Sequence, residues 1–332
     1  MSLLIALTCV IAPAFAVAAQ LSTVNFFAST WPHVGQSKAI NLQMTESGTC
    51  VVTSYGEFDY FTHQNGVWDR RMQLMIGYRQ DPNGSASAIR SWLRNGTDFG
   101  TQVPLDHYST SPVALFFDSS AVEPRSLLAF SVQGSGGIML SRIEIETGAV
   151  LPLLSIGQTE YSWIVPSGAF DSISALVYQI AYTVNATGAM SLSLLTMRTN
   201  APLSYTSTPL IAADASIATL LSASGLWGLA VPQPGKSLAA VLPISATESN
   251  MLVSIDAITG AVSRLGAEHD EFAGANLMGS ILSVNGLLFV DTLDSNETTN
   301  RLYAFDALSG SLLAASACAD IYNILDFIAL EE

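Results

Sequence analysis

Two phrases in this chain are nearly the same. Residues 252–265 read LVSIDAITGAVSRL and residues 302–315 read LYAFDALSGSLLAA. Both run as an alternating apolar strand, an acid, two residues, Thr or Ser, Gly, and a second apolar strand. LSRIEIETGAVLPL repeats the pattern, with Glu144 four residues before Gly148, as Asp256 and Asp306 stand before Gly260 and Gly310. LSLLTMRTNAPLSY sets Thr196 and Asn200 in the same two places. A fainter copy runs from EFDYF through MQLMIGY to Gly84. Each of the four clear turns has an apolar strand ahead of it: SLLAFSV, ALVYQIAY, SLAAVLPI and GLLFVDT. Self-similarity at about 50–60 residues is the mark of propeller blades or of a solenoid.

A four-stranded blade cannot bury both of its faces alone, so blades stack around an axis. Composition agrees. Apolar residues make up 49% of the chain and charged residues 12%, which suits strands covered on both sides. Gly, Pro, Ser and Thr interrupt the chain throughout, and few segments hold a 3.6-residue period. The prediction is all-β: a β-propeller of about six four-stranded antiparallel blades, with five to seven allowed by the length. In each turn the Gly supplies positive φ, and the acid four residues earlier accepts backbone N–H bonds. Asn200 would replace Gly where the backbone turns left-handed. Two long apolar stretches, residues 273–290 and 216–232, read as pairs of buried strands. Asn285-Gly286 marks a hairpin in the first and Ser224-Gly225 breaks the second.

IDAITGAV and FDALSGSL, with their flanking strands, resemble the blade repeat of quinoprotein (PQQ-binding-like) β-propellers. The resemblance is clear over residues 127–317. That family's blades carry a docking Trp after the turn Gly. Here the matching stretches are AVLPL, AVSRL and SLLAA. The resemblance therefore implies blade architecture only; quinone-dependent dehydrogenase activity is not implied. In closed propellers the two chain ends commonly share a blade. Cys50 and Cys318 lie in the two terminal regions, which predicts a disulfide closing the ring; two buried free cysteines are the competing reading.

Residues 1–19 read as a signal peptide, cut near Ala19, followed by one propeller domain over 20–332. No Lys or Arg precedes the apolar run, so an uncleaved anchor or a buried first strand competes with that reading. Export places Cys50 and Cys318 in an oxidising compartment and makes Asn83, Asn95, Asn185 and Asn296 glycosylation sequons. The net charge of −15, from 12 Lys+Arg and 27 Asp+Glu, speaks against nucleic acid or an anionic membrane surface as partner. Membrane insertion of the mature chain is not expected.

Chemistry is sparse. His33, His63, His107 and His269 show no metal-ligand spacing, and residues 291–297 lack the spacing of a calcium loop. No nucleophile elbow, phosphate loop or dinucleotide fingerprint occurs, and no cofactor is indicated. Trp68 and Trp92 either stack on a sugar at loop tips or pack in the core. The expected function is a secreted, non-catalytic propeller that binds an extracellular protein or glycan. The alternative is a hydrolase or lyase whose acids and histidines meet at the central axis. A third reading is a propeller that assembles with other chains.

Overall fold

The computed structural model describes residues 21, 23–30, 37–58, 66–80, 87–93, 102–105, 112–118, 125–133, 137–157, 161, 163–165, 168–184, 190–244, 249–267, 272–273, 281–293, 300–318 and 324–329. They form six antiparallel sheets, each with four principal strands in sequence order from the inside out, save one. Blade 2 is Gly66–Asp69, Leu74–Gln80, Ser87–Leu93 and Val103–Leu105. Blade 3 is Pro112–Phe117, Ser126–Val132, Ile138–Glu144 and Val150–Ile156. In blade 4 the inner strand is broken into Trp163–Ile164 and Ala169–Asp171; Leu176–Val184, Met190–Arg198 and Ser204–Pro209 follow. Blade 5 is Trp227–Gln233, Ser237–Pro243, Ser249–Asp256 and Ala261–Arg264. Blade 6 is Ile281–Val284, Leu287–Leu293, Asn300–Asp306 and Leu312–Cys318.

Blade 1 is the exception, because both chain ends build it. Val24–Thr30, Ser37–Met44 and Cys50–Phe58 come from the start of the chain, and the inner strand Ile324–Ala329 comes from its end. The two ends meet antiparallel, Phe26 opposite Ala329 and Ala28 opposite Phe327. Inner strands of neighbouring blades touch around the ring. Phe116 and Phe170, with ring centroids 6.2 Å apart, join blade 3 to blade 4. The fold is a six-bladed β-propeller.

The core lies between blades. In blade 6, Leu287 and Phe289 pack toward blade 1, against Phe26, Leu42 and Met44. Leu288 and Val290, one residue out of phase, pack toward blade 5 against Val241 and Leu252. Strand alternation thus buries both faces, which is why Leu287–Leu293 reads as an unbroken apolar run apart from Asp291 and Thr292. Phe289 and Phe26 meet edge to face at 4.9 Å. Trp68 and Trp92 are buried in blade 2, so neither is a sugar platform at a loop tip.

Cys50 and Cys318 are joined, with their Cα atoms 5.3 Å apart. They tie the outer strand of blade 1 to the outer strand of blade 6, so the ring closes at its rim as well as at its axis. Asn285-Gly286 forms the expected two-residue hairpin, with Val284 opposite Leu287. The second apolar stretch differs from expectation. Ala215–Ser224 is a helix, capped by Asp214, whose carboxylate accepts from Ile217 N at 2.9 Å. Ile217 and Leu221 bury one side of it in the core between blades 4 and 5, and only Trp227–Gln233 is a strand. Tertiary packing outweighs the weak helix pattern of a ten-residue Ser/Thr-rich segment.

Candidate functional site

Strand directions alternate within a blade, so the connections fall into two sets. First-to-second and third-to-fourth connections share one end of every sheet, the turn end. Second-to-third and blade-to-blade connections share the other, the open end.

At the turn end the polar side chains serve the fold. Asp256 Oδ1 accepts from Ile258 N at 3.0 Å, Thr259 N at 2.7 Å and Thr259 Oγ1 at 2.9 Å. The backbone and hydroxyl of Thr259 hold its carboxyl below the usual carboxylate value. Asp306 binds Leu308 N, Ser309 N and Ser309 Oγ in the same way. Glu144 takes the Thr147 hydroxyl. The same five-residue turn also closes inner strands. Asp69 Oδ1 accepts from Arg71 N and Met72 N, and Asp171 Oδ1 from Ile173 N and Ser174 N. Sequence reasoning passed over both because Gln73 and Ala175 hold the left-handed position in place of Gly, at φ 56° and 54°.

These acids also join blades. Asp69 Oδ2 meets Arg125 Nη1 of blade 3 at 2.6 Å, and Arg125 also binds Glu146. Asp118 holds Arg142 at 2.9 Å, and Arg142 reaches Thr199 O of blade 4. Asp171 Oδ2 accepts from Gly235 N of blade 5 at 2.7 Å. A carboxylate that is buried and bonded on both oxygens is a bolt between blades rather than a free acid or base.

The turn glycines have a second duty. A Cβ on Gly260 would stand 2.2 Å from Pro209 O of blade 4, and one on Gly148 would stand 2.1 Å from Pro104 O of blade 2. The glycine is thus where each blade leans on the one before it. Gly260→Ala meets both that backbone and an unfavourable φ of 72°. Its expected cost is about 3 kcal/mol, from left-handed strain and overpacking together. Chemical denaturation of the variant beside the parent measures it.

Two of the expected turns are placed differently. Arg198, not Thr196, ends the third strand of blade 4, because Leu176 lies opposite Arg198 as Ser237 lies opposite Asp256. Asn200 is not among the residues with positive φ, and the connection carries a cis Ala201–Pro202 bond. Gly84 falls between the second and third strands of blade 2, while the third-to-fourth connection there is 94–102. Blade 1 has a version at Gly48 with Met44 in the place of the capping acid, and the Gly48 N–H donates to Thr45 O.

The open end has another character. Its connections contain Asp59, Asp81, Asp106, Glu160, Asp214, Glu248, Glu268, Asp270, Glu271, Asp294, Glu297 and Asp320, and neither Lys nor Arg. Turn-end connections instead balance Glu46, Asp98, Asp118, Glu123 and Glu146 against Arg70, Arg71, Arg94, Arg125 and Lys236. His33, His63, His107 and His269 lie outside the described residues, as do Asn83, Asn95, Asn185 and Asn296. All four histidines belong to open-end connections, and so do three of the sequons; Asn95 belongs to the turn end. Two blade-to-blade connections are pinned by tyrosines. Tyr182 Oη accepts from Leu226 N at 3.0 Å, and Tyr303 donates to Ala273 O at 2.8 Å. Among the described residues no three His, Cys, Asp or Glu side chains gather as metal ligands. The inner strands, GVWD, PVALFF, WI, AFD, WGLAVPQ, ILSV and ILDFIA, contain no His, Lys, Arg or Glu.

No protein-family model matches the sequence, and no curated protein matches it. Solved structures do. A nidogen from a nidogen–laminin complex shares 11% identity at a TM-score of 0.53, over 93% of this chain and 98% of that one. A structure described as a 6-phosphogluconolactonase of Bacteroides fragilis gives the same identity, score and coverage. A Hadza microbial sialidase gives 9% and 0.55, over 89% of this chain and 69% of its own. Binding proteins and enzymes stand side by side among them, and identities this low carry architecture alone. What the chain shares with all three is the β-propeller fold, here with six blades.

Proposed function

We propose that this is an exported, non-catalytic propeller that binds a cationic extracellular protein or peptide at its open end. The observation that carries the reading is the charge segregation: the open-end connections hold acids and histidines and no Lys or Arg. Such a rim draws in cationic partners and repels anionic ones. At the turn end Asp69, Asp118 and Asp171 are already engaged by backbone or arginine, which favours the open end for recognition. The Cys50–Cys318 bond supports an oxidising compartment, and the segment 1–19 supplies the route there. Glycans on Asn83, Asn185 and Asn296 would frame the same end. The quinoprotein likeness enters at the level of blade architecture alone. Labelled decalysine is the probe. Binding is expected to weaken steeply with salt and to drop at least fivefold in Glu268→Gln/Asp270→Asn/Glu271→Gln. Equal binding by parent and variant would sink the proposal.

One observation favours a second reading, a metal-assisted hydrolase: the four histidines belong to the same open-end connections as twelve of the 27 acids. A stoichiometric divalent ion in the purified protein would move the assignment there.

A further inference from the structure

A strand at the rim of a sheet presents a row of unpaired N–H and C=O groups, and folded chains blunt that row. Five of the six outer strands here are blunted. In blade 1 the pairing skips Tyr55, a bulge within Cys50–Phe58, and the strand carries Glu57. In blade 3 it skips Leu153, beside Pro152 in Val150–Ile156, and in blade 6 it skips Leu313 in Leu312–Cys318. In blade 2, Val103–Leu105 has three residues and is centred on Pro104. In blade 5, Ala261–Arg264 is covered by Ile211–Ala212, which lies parallel along its outer edge.

The outer strand of blade 4 has none of these devices. Ser204–Pro209 keeps an unbroken register, from Ser204 opposite Arg198 to Pro209 opposite Ser193. It holds no charged residue, and its one proline stands last. Ser204, Tyr205, Thr206 and Ser207 are all exposed. Leu210 N donates to Leu192 O at 2.9 Å, which fixes the alternation along the pair. The backbones of Thr208, Thr206 and Ser204 bond inward, and those of Tyr205 and Ser207 point out of the sheet. Among the described residues no hydrogen bond reaches those outward groups.

We propose that this edge binds an uncharged, extended segment of a partner protein, which adds to blade 4 as a further antiparallel strand. The backbone specifies a strand, because an extended chain places donors and acceptors at the two-residue spacing of Tyr205 and Ser207. Side chains set its character. Tyr205 and Ser207 share one face of the strand, and Ser204, Thr206 and Thr208 share the other. Aromatic and hydroxyl residues pair well across strands with β-branched ones, so Val, Ile and Thr suit the partner. No residue of the strand answers a charge, and the net charge of −15 repels an acidic segment. A second copy of this chain fits less well. It would bring its own −15, and six residues of strand fall far short of the about 20–30 residues a side of a standard interface. The edge is separate from the acidic open-end connections and does not rest on the reading of them.

The blocked peptide acetyl-Ser-Thr-Val-Thr-Val-Thr-Ser-amide is the probe. Saturable binding is expected, with the Tyr205 and Ser207 amides protected from hydrogen exchange at least tenfold. Affinity should not change with salt, nor in Glu268→Gln/Asp270→Asn/Glu271→Gln, which distinguishes this edge from the open end. Ser207→Pro removes an outward N–H and spares every inward bond, as proline on an edge strand can. It should weaken binding at least tenfold at an unchanged melting temperature. The same peptide N-methylated at every residue should not bind the parent, a result that needs no variant to fold. The proposal is overturned by a parent that does not bind, by an N-methylated peptide that binds as well, or by protection at another edge instead. A folded Ser207→Pro variant that binds like the parent, or a parent dimer that buries the strand, would overturn it too.

Discussion

Removing the Cys50–Cys318 crosslink is expected to lower the stability of the ring by about 5 kcal/mol. The bond closes a sequence separation of 268 residues, and in the chain-entropy model a loop of that length restricts the unfolded chain by about that much. The native state gives little of this back. Cys318 is fully buried in the core between blades 6 and 1, and Cys50 is already fixed by its N–H donating to Ser316 Oγ at 2.9 Å. Cys50→Ala/Cys318→Ala keeps that core apolar and isolates the crosslink. Denaturant midpoints of the parent, the double variant and the reduced parent should place the last two together. A midpoint shift worth less than about 1 kcal/mol would mean that the pairing of Ile324–Ala329 with Val24–Thr30 holds the ring without help.

Asp291 should impose a large pH dependence of the opposite sense to that of ordinary carboxylates. It stands inside the apolar run Leu287–Leu293, where burial pushes its carboxyl up to about 8, against a hydrogen bond from Asn300 that lowers it. The folded protein therefore holds this proton more tightly than the unfolded chain does. Its contribution is fully present below about pH 4, declines as pH rises, and is lost once pH passes about 8. Near pH 7 the loss amounts to several kcal/mol. The neighbouring geometry agrees with a neutral acid. Asn300 Nδ2 lies 3.0 and 2.9 Å from the two carboxylate oxygens, while Asn300 Oδ1 is buried without a partner. A protonated Asp291 can return a hydrogen bond to that oxygen. Asp291→Asn can form the same two-way pair without titrating. The variant is expected to be the more stable protein at pH 7 and above, with the gap closing toward pH 4. Melting temperatures across that range decide it; parallel curves would show that Asp291 ionises normally.

How far the fold could be read from the chain depended on which residue stood at one backbone position. Where Gly holds the left-handed residue, as at Gly148, Gly260 and Gly310, the acid-capped turn is visible as a phrase, and three phrases reveal a blade. Where Gln73 or Ala175 holds it, the hydrogen bonds are the same and the phrase disappears, so Asp69 and Asp171 went unread. The two-residue offset at Asn200 arose from matching a turn residue and not a strand register. The helix Ala215–Ser224 escaped because its stability comes from Ile217 and Leu221 lying in a core assembled by other blades. The charge segregation was present in the sequence throughout. It became legible only when strand order assigned every connection to an end.

Blade 1 has a consequence for how the molecule is made. Its strand Val24–Thr30 leaves the ribosome ahead of the other five blades, yet its inner partner, Ile324–Ala329, follows all of them. Until then an early strand waits with a bare edge, open to pairing with any passing chain. A truncation that removes only the strand Ile324–Ala329 should therefore yield aggregates and not a slightly weaker propeller, since the first sheet cannot be finished before that strand is made.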